Sequence, residues 1–333
     1  MHKEISDLRS QWKLPIVRWC LVLFFSFYPL YAFAQRLEKA LITHSSDSVT
    51  TAFLTYGIER GFYRKAGVDL EFRLLRGDLA INAMISTKEV DYVYGTPTVF
   101  LAAVQGAPVK VLANSFKGVI IYLMGQGWVQ SPNDLKGKKI AVVSHSGLAA
   151  MSAKASLRAL GLDLNKDMTI IVIGTPSIRM AAMESGSVEA AMMPVPWNFR
   201  MRQKGFKELI FAGKVMPAQP TQGIATSKEK IEKNPEQVRK VLGGFLETLK
   251  AVKREGKEFT GFMARRFSLE SQVAEEVYKF TLEVLTKDGT IDEAALSEYL
   301  EQVKKEAGVK RAIALSDIVD YRLVREVAKG SER

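Results

Sequence analysis

Lys39-Ala-Leu-Ile-Thr-His44-Ser-Ser-Asp47 and Lys139-Ile-Ala-Val-Val143-Ser-His145-Ser-Gly147 stand about 100 residues apart and read alike. Each is a short apolar run followed by small polar residues, the pattern of a buried strand turning into a helix. Outward from the first copy, a helical stretch carries Phe53, Leu54, Ile58 and Phe62 and ends at Gly67-Val68-Asp69. Leu70-Glu-Phe-Arg-Leu-Leu75 is then a strand stopping at Arg76-Gly77, a helix follows with Ile81, Met84 and Ile85, and Val90-Asp91-Tyr92-Val93-Tyr94 is a strand closing at Gly95-Thr96-Pro97. Outward from the second copy, a helix runs to Leu160 and closes at Gly161-Leu162-Asp163, and Met168-Thr-Ile-Ile-Val-Ile173 is a strand stopping at Gly174. The helix after Thr175-Pro176 carries Met180 and Met183, and Val188-Glu189-Ala190-Ala191-Met192 is a strand ending at Pro194 and Pro196. Ser46 answers Ser146, Gly67 answers Gly161, Gly77 answers Gly174 and Asp91 answers Glu189. Glycine helix ends and small helix starts are common to any βαβαβ unit. The shared order at a near-constant offset nevertheless predicts two similar α/β lobes, too few copies for a solenoid.

Between the copies, Val119-Ile-Ile-Tyr-Leu-Met124 reads as a connecting strand, and Thr221-Gln-Gly-Ile-Ala-Thr226 as a second one after the second copy. The chain is thus expected to build lobe 1 from residues 35–118 and 222–333, and lobe 2 from residues 119–221. Hinge crossings are expected near 119–126 and 221–226. Local chemistry fits these boundaries. Thr175 before Pro176 is an N-cap ahead of a first-turn proline, and Ser131-Pro132-Asn133-Asp134 is a capping-box-like start. From about residue 228 the pattern is helical: Asn234-Pro235 starts a helix with Val238, Val241, Leu242, Phe245, Leu246 and Leu249 on one face. Thr290-Ile-Asp-Glu293 reads as a capping box for a helix with Leu296, Tyr299, Leu300 and Val303. These helices are expected to pack on the sheets and carry no chemistry.

Residues 1–18 are polar and include Lys13 and Arg18; an apolar run from Trp19 ends at Ala32-Phe33-Ala34. A basic region, a short apolar stretch and a small-x-small ending predict a secretory signal over residues 1–34, cleaved after Ala34. An uncleaved anchor is the competing reading, but about 16 apolar residues broken by Pro29 fall short of the roughly 20 that span a bilayer. The protein is expected outside the cytoplasm, in the periplasm or its equivalent. Of 333 residues, 47% are hydrophobic and 25% charged, which excludes a disordered, fibrous or polytopic membrane chain. The one cysteine is Cys20, so the exported chain has no disulfide, thiolate metal site or cysteine nucleophile. The net charge of +11 falls to +9 without the first 34 residues. Its basic residues are interleaved with acids, as in Glu301-Gln-Val-Lys304-Lys305-Glu306, and form no basic-aromatic module. A solvated basic surface is expected, and no nucleic-acid partner.

Several motifs in order resemble one family: Ala52-x4-Gly57, Gly61-Phe62-Tyr63-x3-Gly67-Val68-Asp69, Ala83-Met84-x5-Val90-Asp91, Gly106-Ala-Pro108-Val-Lys-Val111, Asp134-Leu-Lys-Gly-Lys-Lys-Ile140 and Gly186-x-Val188-Glu189-Ala190. The chain resembles the periplasmic solute-binding proteins of ABC importers, in the nitrate/sulfonate/taurine branch also called the SsuA/THI5-like or NMT1-like group. The resemblance implies a type II periplasmic-binding-protein fold, two α/β lobes on a two-strand hinge closing over a small solute. It also implies an ABC permease of the inner membrane as partner, and no cofactor. A single hinge implies a monomer.

The residues themselves place a ligand at the carboxyl ends of the strands, beside helix amino termini. There stand Ser45, Ser46 and Asp47; Arg76 and Gly77; Thr96 and Pro97; Ser144, Ser146 and Gly147; Thr175; and Pro196 and Trp197. Hydroxyls and unpaired helix-end amides favour an anionic headgroup, such as a sulfonate, taurine, nitrate or carboxylate. Each has a plain competitor: the serines and threonines cap helices, Arg76 makes a surface ion pair, and Trp197 packs under its loop. His44 and His145 hold echoing positions but have no carboxylate at ligand spacing, so no metal site is expected. Met180, Met183, Met192 and Met193 read as core. A thiamine-pyrimidine ligand, or a sensing subunit of a membrane receptor, is the alternative function. An enzyme is disfavoured, because no nucleophile–base pair stands out; the thiamine-pyrimidine synthases that resemble this family carry a cysteine-rich motif that is missing here.

Overall fold

The computed structural model describes residues 37–145, 147–216 and 219–330; the expected signal segment and Ser146 lie outside the described residues. Two five-stranded sheets carry the fold. The first contains β1 (Glu38–His44), β2 (Val68–Leu74), β3 (Tyr92–Tyr94), β4 (Val109–Phe116) and β10 (Gln222–Ser227), in the order β2-β1-β3-β10-β4. The second contains β5 (Ile121–Gly125), β6 (Lys138–Val142), β7 (Met168–Val172), β8 (Ala190–Pro194) and β9 (Lys207–Phe211), in the order β7-β6-β8-β5-β9. The orders are the same, with β1 and β6 in equivalent places and β10 and β5 as the antiparallel members. The α/β class and the two lobes expected from the duplicated pattern are both present.

The echo extends to individual contacts. Asp91 accepts the Leu41 amide on Oδ2 at 2.8 Å, and Glu189 accepts the Lys139 amide on Oε2 at 2.9 Å. In each lobe the acid before the third strand thus pins the first. Gly67 and Gly161 both sit at positive φ, +97° and +77°, where the chain leaves a helix; a side chain there would be strained.

The segments 119–124 and 221–226, read as connecting strands, are strands: most of each lies in β5 or β10. The chain passes between the sheets just before each of them, where the Thr221 hydroxyl donates to the carbonyls of Phe116 and Gly118 at 3.3 and 3.1 Å. Pairing satisfies backbone groups that an isolated connector would leave to water. One expectation is corrected, at the cap of the helix Glu293–Glu306. Asp292, not Thr290, accepts its first amides, from Ala294 and Ala295.

Helix α1 (Val49–Glu59) follows β1, α2 (Phe62–Lys65) precedes β2, α3 (Gly77–Asn82) follows β2 and α4 (Thr96–Val104) follows β3. In lobe 2, α5 (Gly147–Ala159) follows β6, α6 (Pro176–Glu184) follows β7 and α7 (Trp197–Gln203) follows β8. The later helices α8 (Pro235–Arg254), α9 (Gly256–Phe267) and α10 (Ser271–Val284) belong to lobe 1, where Val238, Val241, Leu242, Phe245 and Leu249 join its core. Asn234 caps α8 by accepting the Gln237 amide at 3.1 Å, as its Asn-Pro start predicts. Met180, Met183, Met192 and Met193 are buried in lobe 2. No described helix is long and apolar enough to cross a membrane.

Candidate functional site

The carboxyl ends of β1, β3 and β4 face those of β6, β7 and β8, because the crossings fold lobe 2 back over the same edge of lobe 1. Among the described residues, two hydrogen bonds and an ion pair, Arg202–Glu276 at 3.9 Å, link the lobes. The Val49 amide, first of α1, donates to the Val195 carbonyl at 2.9 Å. Trp197 Nε1 donates to the Asp47 carbonyl at 2.8 Å. Val195, Tyr122, Met151 and Phe199 of lobe 2 pack against the lobe 1 core, and Phe211 meets Phe280 edge to face at 5.4 Å. The two lobes are therefore in contact along this edge.

On the lobe 1 side, Ser45, Ser46 and Asp47 are partly buried in the turn from β1 to α1. The Ser46 carbonyl accepts the Thr51 hydroxyl. The Asp47 carboxylate pairs with Arg266 of α9 at 2.9 Å. The pair ties the late helix α9 to the turn that follows β1. Behind the turn, His44 Nε2 meets Thr50 Oγ1 at 3.3 Å, and Thr50 Oγ1 meets Ser48 Oγ at 2.8 Å. Burial pushes the His44 imidazole down to about 4, so it is neutral near pH 7. No group of three or more metal-ligating side chains occurs among the described residues.

Thr96 is fully buried at the start of α4, with Pro97 beside it. Its hydroxyl accepts Asn114 Nδ2 at 2.8 Å, which ties it to the core of lobe 1. Arg76 and Asp78 form an exposed bidentate pair, at 2.7 and 2.8 Å, with Gly77 between them. That is the surface ion pair, which leaves the Arg76 guanidinium at the outer lip.

On the lobe 2 side, Ser144 is partly buried beyond β6, and Gly147 begins α5. Thr175 caps α6, its Oγ1 accepting the Ile178 amide at 3.4 Å. Pro196 and Trp197 are buried after β8, with the Arg200 guanidinium 4.9 Å from the indole centre. Asp47 and Trp197 are thus brought together, Ser45, Ser46, Ser144 and Thr175 stand along the same edges, and Thr96 is set behind them. Two residues not expected at this edge are Arg266 and Arg179. Arg179 could have been found: Pro176, Arg179, Met180 and Met183 share the buried face of α6, and a charge on such a face is a signal. Arg266 gave none, because it contacts a turn more than two hundred residues away. A separate groove of about 740 Å³ lies beside the first halves of β1 and β2, lined by Leu41, Ile58, Tyr63 and Phe72 among others. It is away from the strand ends.

A family model described as NMT1/THI5 like matches residues 49–258, more than half of the chain. The chain belongs to the NMT1/THI5-like family. The alkanesulfonate-binding protein SsuA of Xanthomonas axonopodis pv. citri, solved bound to MOPS, superposes on this family member with a TM-score of 0.69 at 15% identity, covering 85% of this chain and 98% of its own. The periplasmic nitrate-binding protein NrtA of Synechocystis PCC 6803 gives 0.71 at 16% identity, with 89% of each chain covered. The desulfurization enzyme DSZB gives 0.63 at 14% identity, covering 89% of this chain and 100% of its own. Comparison with curated protein sequences gives no match. Likeness at such identities shows the fold, which is that of the type II periplasmic binding proteins.

Proposed function

We propose that this NMT1/THI5-like protein is an extracytoplasmic solute-binding protein that captures a small anionic solute between its lobes and delivers it to an ABC import permease. The observation that carries this is the seam itself. Two helix-bearing lobes meet along their strand ends, held by the Val49–Val195 and Trp197–Asp47 hydrogen bonds across two short crossings. These bonds, the side chains packed between the lobes and the Arg202–Glu276 ion pair are all separate from the strand pairing within the two sheets, so the lobes can part with both sheets intact, which is what a capture-and-release protein requires. Helix starts and the hydroxyls of Ser45, Ser46, Ser144, Ser146 and Thr175 are suited to an anion such as a sulfonate, carboxylate or nitrate. The lobes are 35–118 with 222–333, and 119–221; the first 34 residues are the removed export signal, and the protein acts as a monomer without a cofactor.

A binding role is favoured over an enzymatic one even though one structural neighbour is an enzyme. After Cys20 the chain has no cysteine, and His44 and the Thr50 hydroxyl it meets are both buried. The test is a thermal-melt panel on residues 35–333, refolded to strip bound solute, with alkanesulfonates, taurine, nitrate, bicarbonate, small carboxylates and thiamine pyrimidines. A solute at 100 times its Kd stabilises by ~2.7 kcal/mol, which at this size raises Tm by about 4 °C or more. A shift confined to the pyrimidines would replace the anion reading, and a flat panel would overturn it.

A further inference from the structure

Arg179 lies on the buried face of α6, and only 2% of it is exposed. Its Nε donates to the Met192 carbonyl at 3.1 Å, and its Nη1 to the carbonyls of Ile173 at 2.9 Å and Gly174 at 2.7 Å. A guanidinium has five N–H donors. Those bonds place three, and Nη2, which carries the other two, has no acceptor among the described residues. Nor does any described carboxylate pair with Arg179, whereas Arg266 across the seam has Asp47. Burial alone lowers the Arg179 pKa to about 10, with no acid near enough to hold it up. A cation taken out of water without a counter-charge is strongly unfavourable, and carbonyl dipoles offset only part of that.

The position of the group gives that deficit a meaning. Ile173 and Gly174 are the two residues after β7, and Met192 is the middle residue of β8. The guanidinium therefore reaches from the middle of β8 to the carboxyl end of β7, the edge that faces lobe 1. Thr175 and Ser177 begin the next helix there, their hydroxyls 3.0 Å apart. We propose that Arg179 is the charge partner of the solute, its Nη2 edge receiving an oxygen of a carboxylate, sulfonate or nitrate as the lobes close. This rests on the anion-binding reading above and names the group that reads the charge.

The test is guanidinium-resolved NMR of arginine-¹⁵N-labelled protein titrated with methanesulfonate, acetate and nitrate, alongside the affinities of Arg179→Lys and Arg179→Met. The expected result is a saturable shift of the Arg179 signals with at least one anion. Arg179→Met should then weaken that anion about tenfold or more, and Arg179→Lys should retain part of the affinity. A tie serving only the fold would lower the melting point of Arg179→Met while leaving anion affinity unchanged. That result, or saturable binding with the Arg179 signals unmoved, overturns the assignment and leaves the cleft reading standing. No saturable binding by any of the three anions overturns both. The titration of the unsubstituted protein stands even if neither variant folds.

Discussion

Trp197→Phe isolates the seam. The indole reaches from α7 of lobe 2 to the Asp47 carbonyl in the turn before α1, at 2.8 Å. Phenylalanine keeps most of the apolar body and removes the donor. One such bond contributes about 0.5–1.5 kcal/mol net, so the closed-to-open ratio should fall about 2- to 13-fold. The stacking of Arg200 on the same ring also weakens, but Arg200 and Trp197 share one helix, so that loss lowers stability without biasing closure. Residues 35–333 contain no cysteine, so Leu79→Cys and Ile178→Cys, both exposed and both beside the edge strands β2 and β7, take a dye pair cleanly. Those strands are the ones farthest from the crossings, where opening is widest. Single-molecule distances should show more of the open form in Trp197→Phe, and solute affinity should fall by up to the same factor. An unchanged population of the two forms, with only a lower melting point, would show that the contact does not hold the lobes together.

Other substitutions test the parts around it. A Cβ on Gly57 would come within 2.0 Å of Thr248 Oγ1 where α1 crosses α8, so Gly57→Ala should lower unfolding free energy by about 1–3 kcal/mol in denaturant melts. His44 titrates near 4 when folded and near 6.5 when unfolded, so the unfolded chain binds the extra proton between those values. Stability should be flat above pH 6.5 and fall as pH drops toward 4, by about 2 kcal/mol at pH 5, with His44→Gln removing that slope. Asp47→Asn leaves the Arg266 cation half-buried without its partner and should weaken solute affinity by about tenfold, read by calorimetry.

The duplicated architecture was legible because its signals are local. Apolar runs, glycine helix ends and the acids Asp91 and Glu189 recur at one offset, and both acids bind the first strand of their own lobe. The caps at Thr175 and Asn234 were legible for the same reason. What was hidden is long-range. Nothing local marks β10 as a strand that returns to the first sheet between β3 and β4, or Arg266 as the partner of Asp47. Asp292 replaces Thr290 as a cap because the aspartate reaches two amides, while Thr290 bonds to Asp288. At the candidate site, the strand-end rule finds the edge but not the depth: it treats Thr96 and Ser45 alike, although one is buried against Asn114 and the other is partly open. Arg179 is the opposite case, visible as a charge on a buried helical face.

Hydrogen–deuterium exchange of refolded residues 35–333, with and without the strongest stabiliser from the melt panel, measures directly whether solute binds between the lobes. The expected result is protection at residues 44–51, 173–179 and 194–198, on both sides of the seam at once. Protection confined to the groove beside Ile58, Tyr63 and Phe72, with both strand-end edges exchanging as before, would contradict capture between the lobes.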